Sequence, residues 1–244
     1  MLKKILITIT IIILLLVLAV RVFVHESRPD IVEENGDAMA AEMLQAVNKP
    51  AWDSLSYLSW TFPGGHHYVW DKIQNHARIS WGDFEVHMIL DQVDGIAFKA
   101  GEELEGSAKS KAIKKAWKFW CNDSYWLLAP TKIFDPGTRR YVATDKEGKT
   151  GLLVRYESGG VTPGDEYLWF LDDTGLPTGF KMWVKIIPVG GVQASWEDWK
   201  TLPGGAVMAE TRNISLGSLS FQLEDVKSGQ NWQDLGFERS PITL

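Results

Sequence analysis

Histidines are concentrated in one part of the sequence, since four of the five lie between residues 66 and 87. Such a concentration is compatible with a zinc-type site, in which imidazole nitrogens converge on one metal ion. His66 and His67, however, are adjacent on a predicted strand and point to opposite faces of it. His67, His76 and His87 share a face but lie on three different predicted strands. We therefore predict no metal site and no cofactor.

His66 belongs to the apolar face of its strand, where an imidazole ring needs a hydrogen-bond partner. A core histidine with a satisfied ring is the more common situation, and contact with a ligand is the alternative. For an enzyme, the polar candidates would be His66, Asp135, Arg139 and Glu157, provided that the fold brings them together. The nucleophile motif Gly-x-Ser-x-Gly and a phosphate-binding loop with its lysine are both absent from the sequence. We therefore expect a non-enzymatic protein.

The strands that carry these histidines can be paired from their turns. Gly82-Asp83 has the form of a two-residue hairpin turn, which sets Trp81 opposite Phe84. A four-residue loop at 72–75 sets Trp70 opposite Ala77 in the same way. The register then puts the following residues on one apolar face: His66, Tyr68, Trp70, Ala77, Ile79, Trp81, Phe84, Val86 and Met88. The opposite, wet face carries His67, His76, Arg78, Ser80, Glu85 and His87, so the pattern predicts a meander with one buried face.

Two segments have helical rather than alternating periodicity. The first covers residues 38–47 and is expected to end before Pro50. The second, from Gly106 to Trp120, has an apolar stripe that includes Trp117, while its lysines form a face that is either solvated or in contact with anionic headgroups or a partner. Residues 121–130 are expected to be irregular, with the only cysteine, Cys121, as a buried and unreactive thiol. Seven further strands are predicted between residues 139 and 226.

The N-terminus has the features of a membrane segment. Lys3 and Lys4 precede a nearly unbroken apolar run, 5–20, that resumes at 22–24 after Arg21. We predict a transmembrane anchor at residues 1–24, a tether at 25–36 and the main domain at 37–244. The positive flank favours a single-pass inner-membrane protein with its C-terminal domain in the periplasm, and a cleaved signal peptide is the alternative. The net charge of −6 argues against nucleic acid as a partner.

The order of elements, from anchor and short helix through a meander and a lysine-rich helix to a second run of strands, resembles the outer-membrane lipoprotein carrier and lipoprotein-receptor superfamily. The best local match is YLWFLDDTGLPTGFKMWV, at 167–184. The segments GGHHYVWD, WCNDSYWLLAP, DPGTRR and ESGGVTPGDEYLW look like a group of Gram-negative envelope proteins with no assigned activity. The resemblance implies a mainly β fold with a few helices, in which a strongly curved antiparallel sheet, an incomplete β-barrel, is lidded by helices and holds acyl chains.

The sequence and this resemblance together favour a membrane-anchored protein that binds an apolar ligand, such as a lipid, an acyl chain or a lipoprotein, on a concave aromatic face. The high tryptophan content of 12 residues fits such a face or a large aromatic core. The expected ligand-lining residues are His66, Tyr68, Trp70, Trp81, Phe84, Met88, Trp117 and Trp169. The alternatives are an interaction or structural module with a filled core, whose partner is another envelope protein, and a hydrolase acting on an envelope glycan or ester.

Overall fold

The structure is a computed structural model that describes residue 3, residues 6–11 and residues 25–244. The membrane anchor predicted for residues 1–24 therefore lies mostly outside the described residues. Of that segment, residue 3 and residues 6–11 are described, and they are helical. None of the helices in the described part of the chain combines the length and the apolar character needed to span a bilayer.

The fold is mainly β, as predicted, with 40% of residues in strands and 25% in helices. The strands are β1 (Asp30–Glu33), β2 (Tyr57–Phe62), β3 (His66–Asp71), β4 (His76–Trp81), β5 (Phe84–Ile89), β6 (Asp94–Lys99), β7 (Glu102–Glu103), β8 (Thr138–Thr144), β9 (Thr150–Tyr156), β10 (Asp165–Leu171), β11 (Pro177–Trp183), β12 (Val192–Ser195), β13 (Glu197–Thr201), β14 (Val207–Ile214), β15 (Leu219–Gln222) and β16 (Glu224–Gly229). The helices are α1 (Asp37–Ala46), α2 (Lys49–Ser54) and α3 (Gly106–Leu128), with short 3-10 turns at Ala129–Thr131, Leu216–Ser218 and Trp232–Leu235.

The strands form two antiparallel sheets that do not close into a barrel, instead of the single curved sheet that was predicted. The large sheet has the order β1-β8-β9-β10-β11-β12-β14-β13, with β15 on β14, and the small sheet has the order β16-β2-β3-β4-β5-β6-β7. The chain returns from the large sheet to the small sheet at Leu223, which connects β15 to β16 and is fully buried. Just beyond it, Asp225 has a left-handed backbone and the pairing with β2 shifts register, which interrupts the continuous ladder.

The register predicted for the meander is confirmed. Trp81 pairs with Phe84, Trp70 pairs with Ala77, and His66 lies opposite Trp81. His67 is exposed, as expected for the opposite face. The prediction of a wet face is wrong at His87, which is buried because the backbone N–H of Thr243 donates to its Nδ1 at 2.7 Å. The C-terminal segment thus covers part of the outer face of the small sheet.

Helix α3 is longer than predicted, because it continues to Leu128 through residues that were expected to be irregular. Its buried positions continue at helical spacing beyond Trp120, but two of them, Asp123 and Ser124, are polar and hide the apolar pattern. The first predicted helix ends before Pro50, as expected, since α1 ends at Ala46. Pro50 itself lies in the first turn of α2, where a missing N–H costs nothing.

The predicted tether is a docked part of the domain. Strand β1 pairs with β8, and Glu26 is buried against the large sheet. The Glu26 carboxylate lies 3.1 Å from Nζ of Lys181, which also contacts Asp145 at 2.8 Å. A polar composition is typical of a linker, but here the polar side chains find buried partners more than a hundred residues away in sequence.

Three apolar clusters hold the sheets and helices together. The small-sheet core combines the inner face of the meander with the first half of α3, through Ile113, Ala116 and Trp120. The large-sheet core lies under the last turns of α3, where Tyr125 and Trp126 pack against it. A third cluster, which includes Trp183, is formed by other side chains of the large sheet. Helix α3 therefore covers the inner faces of both sheets.

Candidate functional site

The aromatic face predicted from the register lies directly under α3. Trp60 and Tyr68 stack at 4.6 Å between ring centroids, and Trp120 of α3 lies 5.6 Å from Trp60 and 5.4 Å from Trp70. Of the predicted ligand-lining residues, Tyr68, Trp81 and Met88 are buried in the small-sheet core, and Trp70, Phe84 and Trp117 pack against it. His66 joins this group through ring contact with Phe119 at 3.9 Å. The structure therefore brings seven of the eight predicted residues together.

Trp169 belongs to a second aromatic group, on the inner face of the large sheet. Its ring lies 4.8 Å from Phe180 and 5.1 Å from Trp196. Helix α3 contributes to this group as well, since Trp126 lies 5.7 Å from Phe180. The two aromatic groups share one covering helix and are joined by Phe221, whose ring lies 5.4 Å from Trp126 and 5.3 Å from Phe62.

Asp123 attaches α3 to the small sheet. Its carboxylate is only 2% exposed, and its Oδ2 accepts hydrogen bonds from Nδ1 of His66 at 2.7 Å and from the hydroxyl of Tyr68. Its Oδ1 accepts a third bond, at 2.7 Å, from the side chain of Asn122. Burial, and then the charge of Asp123, raise the pKa of Tyr68 far above its usual value, so the phenol stays protonated and remains a donor. Because a buried carboxylate needs such partners, this contact fixes the position of α3 over β3.

Arg212 attaches the other end of α3 to the large sheet. Its guanidinium is fully buried, and its Nη2 donates to the carbonyl of Trp126 at 2.6 Å. In a continuing helix that carbonyl would accept from residue 130, but Pro130 has no N–H. A cation at this end of a helix is favourable, because the last carbonyls carry partial negative charge.

The environment of Arg212 is unusual for a buried cation. No Asp or Glu of the described chain forms an ion pair with it, and its carbon Cζ lies 3.5 Å from the ring centroid of Trp196. Burial lowers the pKa of Arg212 to about 9, which expresses how unfavourable the charged form is at this position. Its Nε has no hydrogen-bond partner among the described residues. One edge of the guanidinium therefore carries an unpaired donor, Nε, beside the Nη2 that holds α3.

Other interior donors near α3 are unpaired as well. They are the indole Nε1 atoms of Trp60, Trp81, Trp169 and Trp196, none of which has a partner in the described residues. A buried donor without a partner costs about 1–3 kcal/mol, and folded proteins contain few of them. The two aromatic groups thus contain more hydrogen-bond donors than the protein itself satisfies.

The polar residues considered for an enzyme do not form one site. Asp135 pairs with Lys132 at 2.7 Å, and Arg139 pairs with Glu157 at 3.0 Å, both near the surface. His66 makes its polar contact with Asp123, and no contact joins it to any of those pairs among the described residues. The described residues also contain no cluster of three or more side chains able to hold a metal ion.

Asp123 and Arg212 are the two site residues that sequence reasoning missed. Asp123 had a weak signal, since it continues the buried helical stripe three residues after Trp120. Arg212 had none, because an arginine within a strand is normally interpreted as solvent-exposed.

Concave space at the protein surface is found at the C-terminal segment. A cavity of about 200 Å³ is lined there by Tyr57, Asp71, Gln74, His76, Trp232, Ser240, Ile242 and Leu244. It contains none of the predicted ligand-lining residues. The inner aromatic faces are occupied by side chains of α3 itself.

No protein-family model matches this chain, and a search of curated proteins finds no match.

Proposed function

We propose that this protein is a non-enzymatic binding module for an amphipathic, acyl-chain-type ligand, and that the state described here is the closed one. The observation that carries the proposal is that a single helix, α3, covers two aromatic faces and has a polar attachment at each face, through Asp123 and Arg212. In this proposal the two sheets act together as a concave support, and α3 is the lid that a ligand displaces.

The apolar part of the ligand would replace the contacts that α3 makes in the closed state. Trp120 and Trp126 lie against the rings of the two sheets, and an acyl chain offers the same kind of apolar surface to those rings. Ligand pockets are commonly apolar with a few well-placed polar groups. The unpaired indole N–H groups provide such polar points within the aromatic faces.

The polar part of the ligand would be anionic. Arg212 is a buried cation with no acidic partner in the described chain, so an incoming carboxylate or phosphate would supply the missing charge. The edge formed by Nε and Nη2 is the side of a guanidinium that binds a carboxylate through two parallel hydrogen bonds. Since Nη2 also donates to the carbonyl of Trp126, an anion at this edge would compete with that carbonyl for the guanidinium and weaken the attachment of α3.

The cellular setting of this proposal rests on the sequence. A hydrophobic N-terminus with two leading lysines, and the resemblance to lipoprotein carriers and receptors, favour a protein held at the inner membrane with residues 25–244 in the periplasm. The ligand would then be a lipid or the acylated end of a lipoprotein.

A second candidate function is an interaction or structural module without a small ligand. It is favoured by the direct packing of the aromatic rings on one another and on α3 in the described residues. On this alternative the interior stays filled, and the partner is another envelope protein.

A binding measurement with a fluorescent fatty acid and the full-length chain, and then native mass spectrometry of the complex, distinguishes the binding module from the filled module. The proposal expects the probe to bind, and expects Arg212→Gln to weaken that binding by about tenfold or more, since one charge-assisted contact is lost. Arg139→Gln is the matched control, because it removes an exposed arginine with the same change in charge. The corresponding fatty alcohol should bind wild type and Arg212→Gln alike. A folded wild-type protein that binds neither probe would support the filled module instead.

A further inference from the structure

The outer face of α3 carries a lysine stripe, defined here as Lys111, Lys114, Lys115 and Lys118. Lys114 and Lys115 are each three or four residues from Lys111 and from Lys118, so the four lie on one side of the helix, and all four are exposed. The opposite face is the buried one, with Ala112, Ile113, Ala116 and Trp120. The stripe therefore lies on the solvent side of α3, with Lys115 at the edge nearest the small sheet.

Nothing in the described chain neutralises this stripe. Residues 106–122 contain no aspartate or glutamate, and none of the four lysines forms an ion pair with a described residue. Lys115 has a different kind of contact, since its Nζ lies 5.5 Å from the ring centroid of Trp81 and 5.2 Å from that of Phe119. The other lysines of the stripe extend into solvent. The chain as a whole is acidic, with 31 acidic against 25 basic residues, so this concentration of positive charge is local.

The lysine stripe also destabilises α3, the helix that carries it. Like charges three or four positions apart on a helix repel one another, and the stripe contains four such pairs. The lysines lie in the first half of α3, near the end where partial positive charge accumulates, and its first turn has no acidic residue. A solvated helix face is normally built with both signs of charge. A single-sign ridge that costs helix stability therefore indicates a negatively charged surface outside the protein.

We propose that the lysine stripe docks on a lipid bilayer that contains anionic phospholipids. A group of four exposed lysines on one side of a helix matches a surface of phosphate headgroups, and each lysine near such a surface contributes separately to the attraction. Nucleic acid is disfavoured by the net charge of −6 of the whole chain. The inference is independent of the proposed ligand, since it concerns the outer face of α3 and requires no opening of the helix.

The test uses the full-length chain mixed with vesicles of phosphatidylcholine, either alone or with about one-third phosphatidylglycerol. The rate at which an amine-reactive reagent labels Lys115 is measured by mass spectrometry. Docking predicts that labelling slows by about fivefold or more with the anionic vesicles only, and that about 0.5 M salt removes the effect. Because the comparison is between two vesicle types, insertion of the N-terminus alone does not produce the difference.

Two triple variants with the same change of charge complete the experiment. Lys111→Gln with Lys114→Gln and Lys118→Gln should abolish the slowing at Lys115. Lys149→Gln with Lys185→Gln and Lys227→Gln, at exposed positions elsewhere, should retain it. Equal labelling rates with both vesicle types, or equal loss in both variants, would overturn the proposal. Slowing that occurs with an added acidic protein, and not with the anionic vesicles, would also overturn the proposal.

Discussion

His66 and His67 are neighbours on β3 that face opposite sides of the small sheet, so alanine substitutions should separate their roles. His66 donates to Asp123 at 2.7 Å and packs on Phe119, with 18% of its side chain exposed. His67 is exposed, and its ring shares a hydrogen bond with the hydroxyl of Thr61. The two substitutions remove the same side chain from adjacent positions, which makes each the control for the other.

The magnitude for His66→Ala follows from what Asp123 loses. A hydrogen bond to a charged group contributes about 1.5–3 kcal/mol, and an aromatic contact adds about 0.5–1.5 kcal/mol. Tyr68 and Asn122 still donate to the carboxylate, so the loss is partial. We expect His66→Ala to lower the free energy of unfolding by about 2–3 kcal/mol, and His67→Ala to change it by less than about 0.5 kcal/mol.

Urea denaturation followed by tryptophan fluorescence measures both values, provided that the slope of the transition is unchanged. A double variant, His66→Ala with Asp123→Asn, should cost less than the sum of the single changes, because the two residues share one contact. Comparable destabilisation by His66→Ala and His67→Ala would refute the assignment of His66 to the buried contact with α3.

Four further predictions concern three positions away from α3 and the reactivity of Cys121 on α3. Gly95→Ala should destabilise the fold by about 2–4 kcal/mol, since a β-carbon there would lie 1.9 Å from a backbone oxygen of β5. Gly148→Ala, with open space around it, should cost about 1 kcal/mol, and thermal unfolding measures both values. Lys181→Met should cost about 3–5 kcal/mol, because it leaves buried carboxylates without their cation. Although burial opposes the shift, hydrogen bonds from Lys181 and from the backbone lower the pKa of Asp145 below its usual 3.8. The stability that this carboxylate adds is therefore present above pH 3.8 and is lost as the pH falls. The difference in free energy of unfolding between wild type and Asp145→Asn should accordingly shrink in acid denaturation. Burial raises the pKa of Cys121 to about 11 from 9.0, so its thiol should react with a disulfide reagent at pH 8 about a hundredfold more slowly than in urea, and equal rates would contradict this.

The local pattern of apolar residues and turns determines much of the fold by itself. The pairing of Trp81 with Phe84, and with it the aromatic face of the meander, follows from a two-residue turn and a period of two, because one slipped residue would turn every side chain over. The buried stripe of α3 follows in the same way from a period near 3.6. These features depend on residues close together in sequence, so a single sequence contains them.

Only the tertiary structure decided where the polar groups of the interior lie. Asp123 is buried because β3 provides two donors 55 and 57 residues away, and Arg212 is buried because Pro130 leaves a helix carbonyl without a partner. The predicted tether is docked because Glu26 meets Lys181 across 155 residues. Burial of a charged group depends on partners that satisfy it, and those partners come from distant parts of the chain whose proximity no local periodicity encodes.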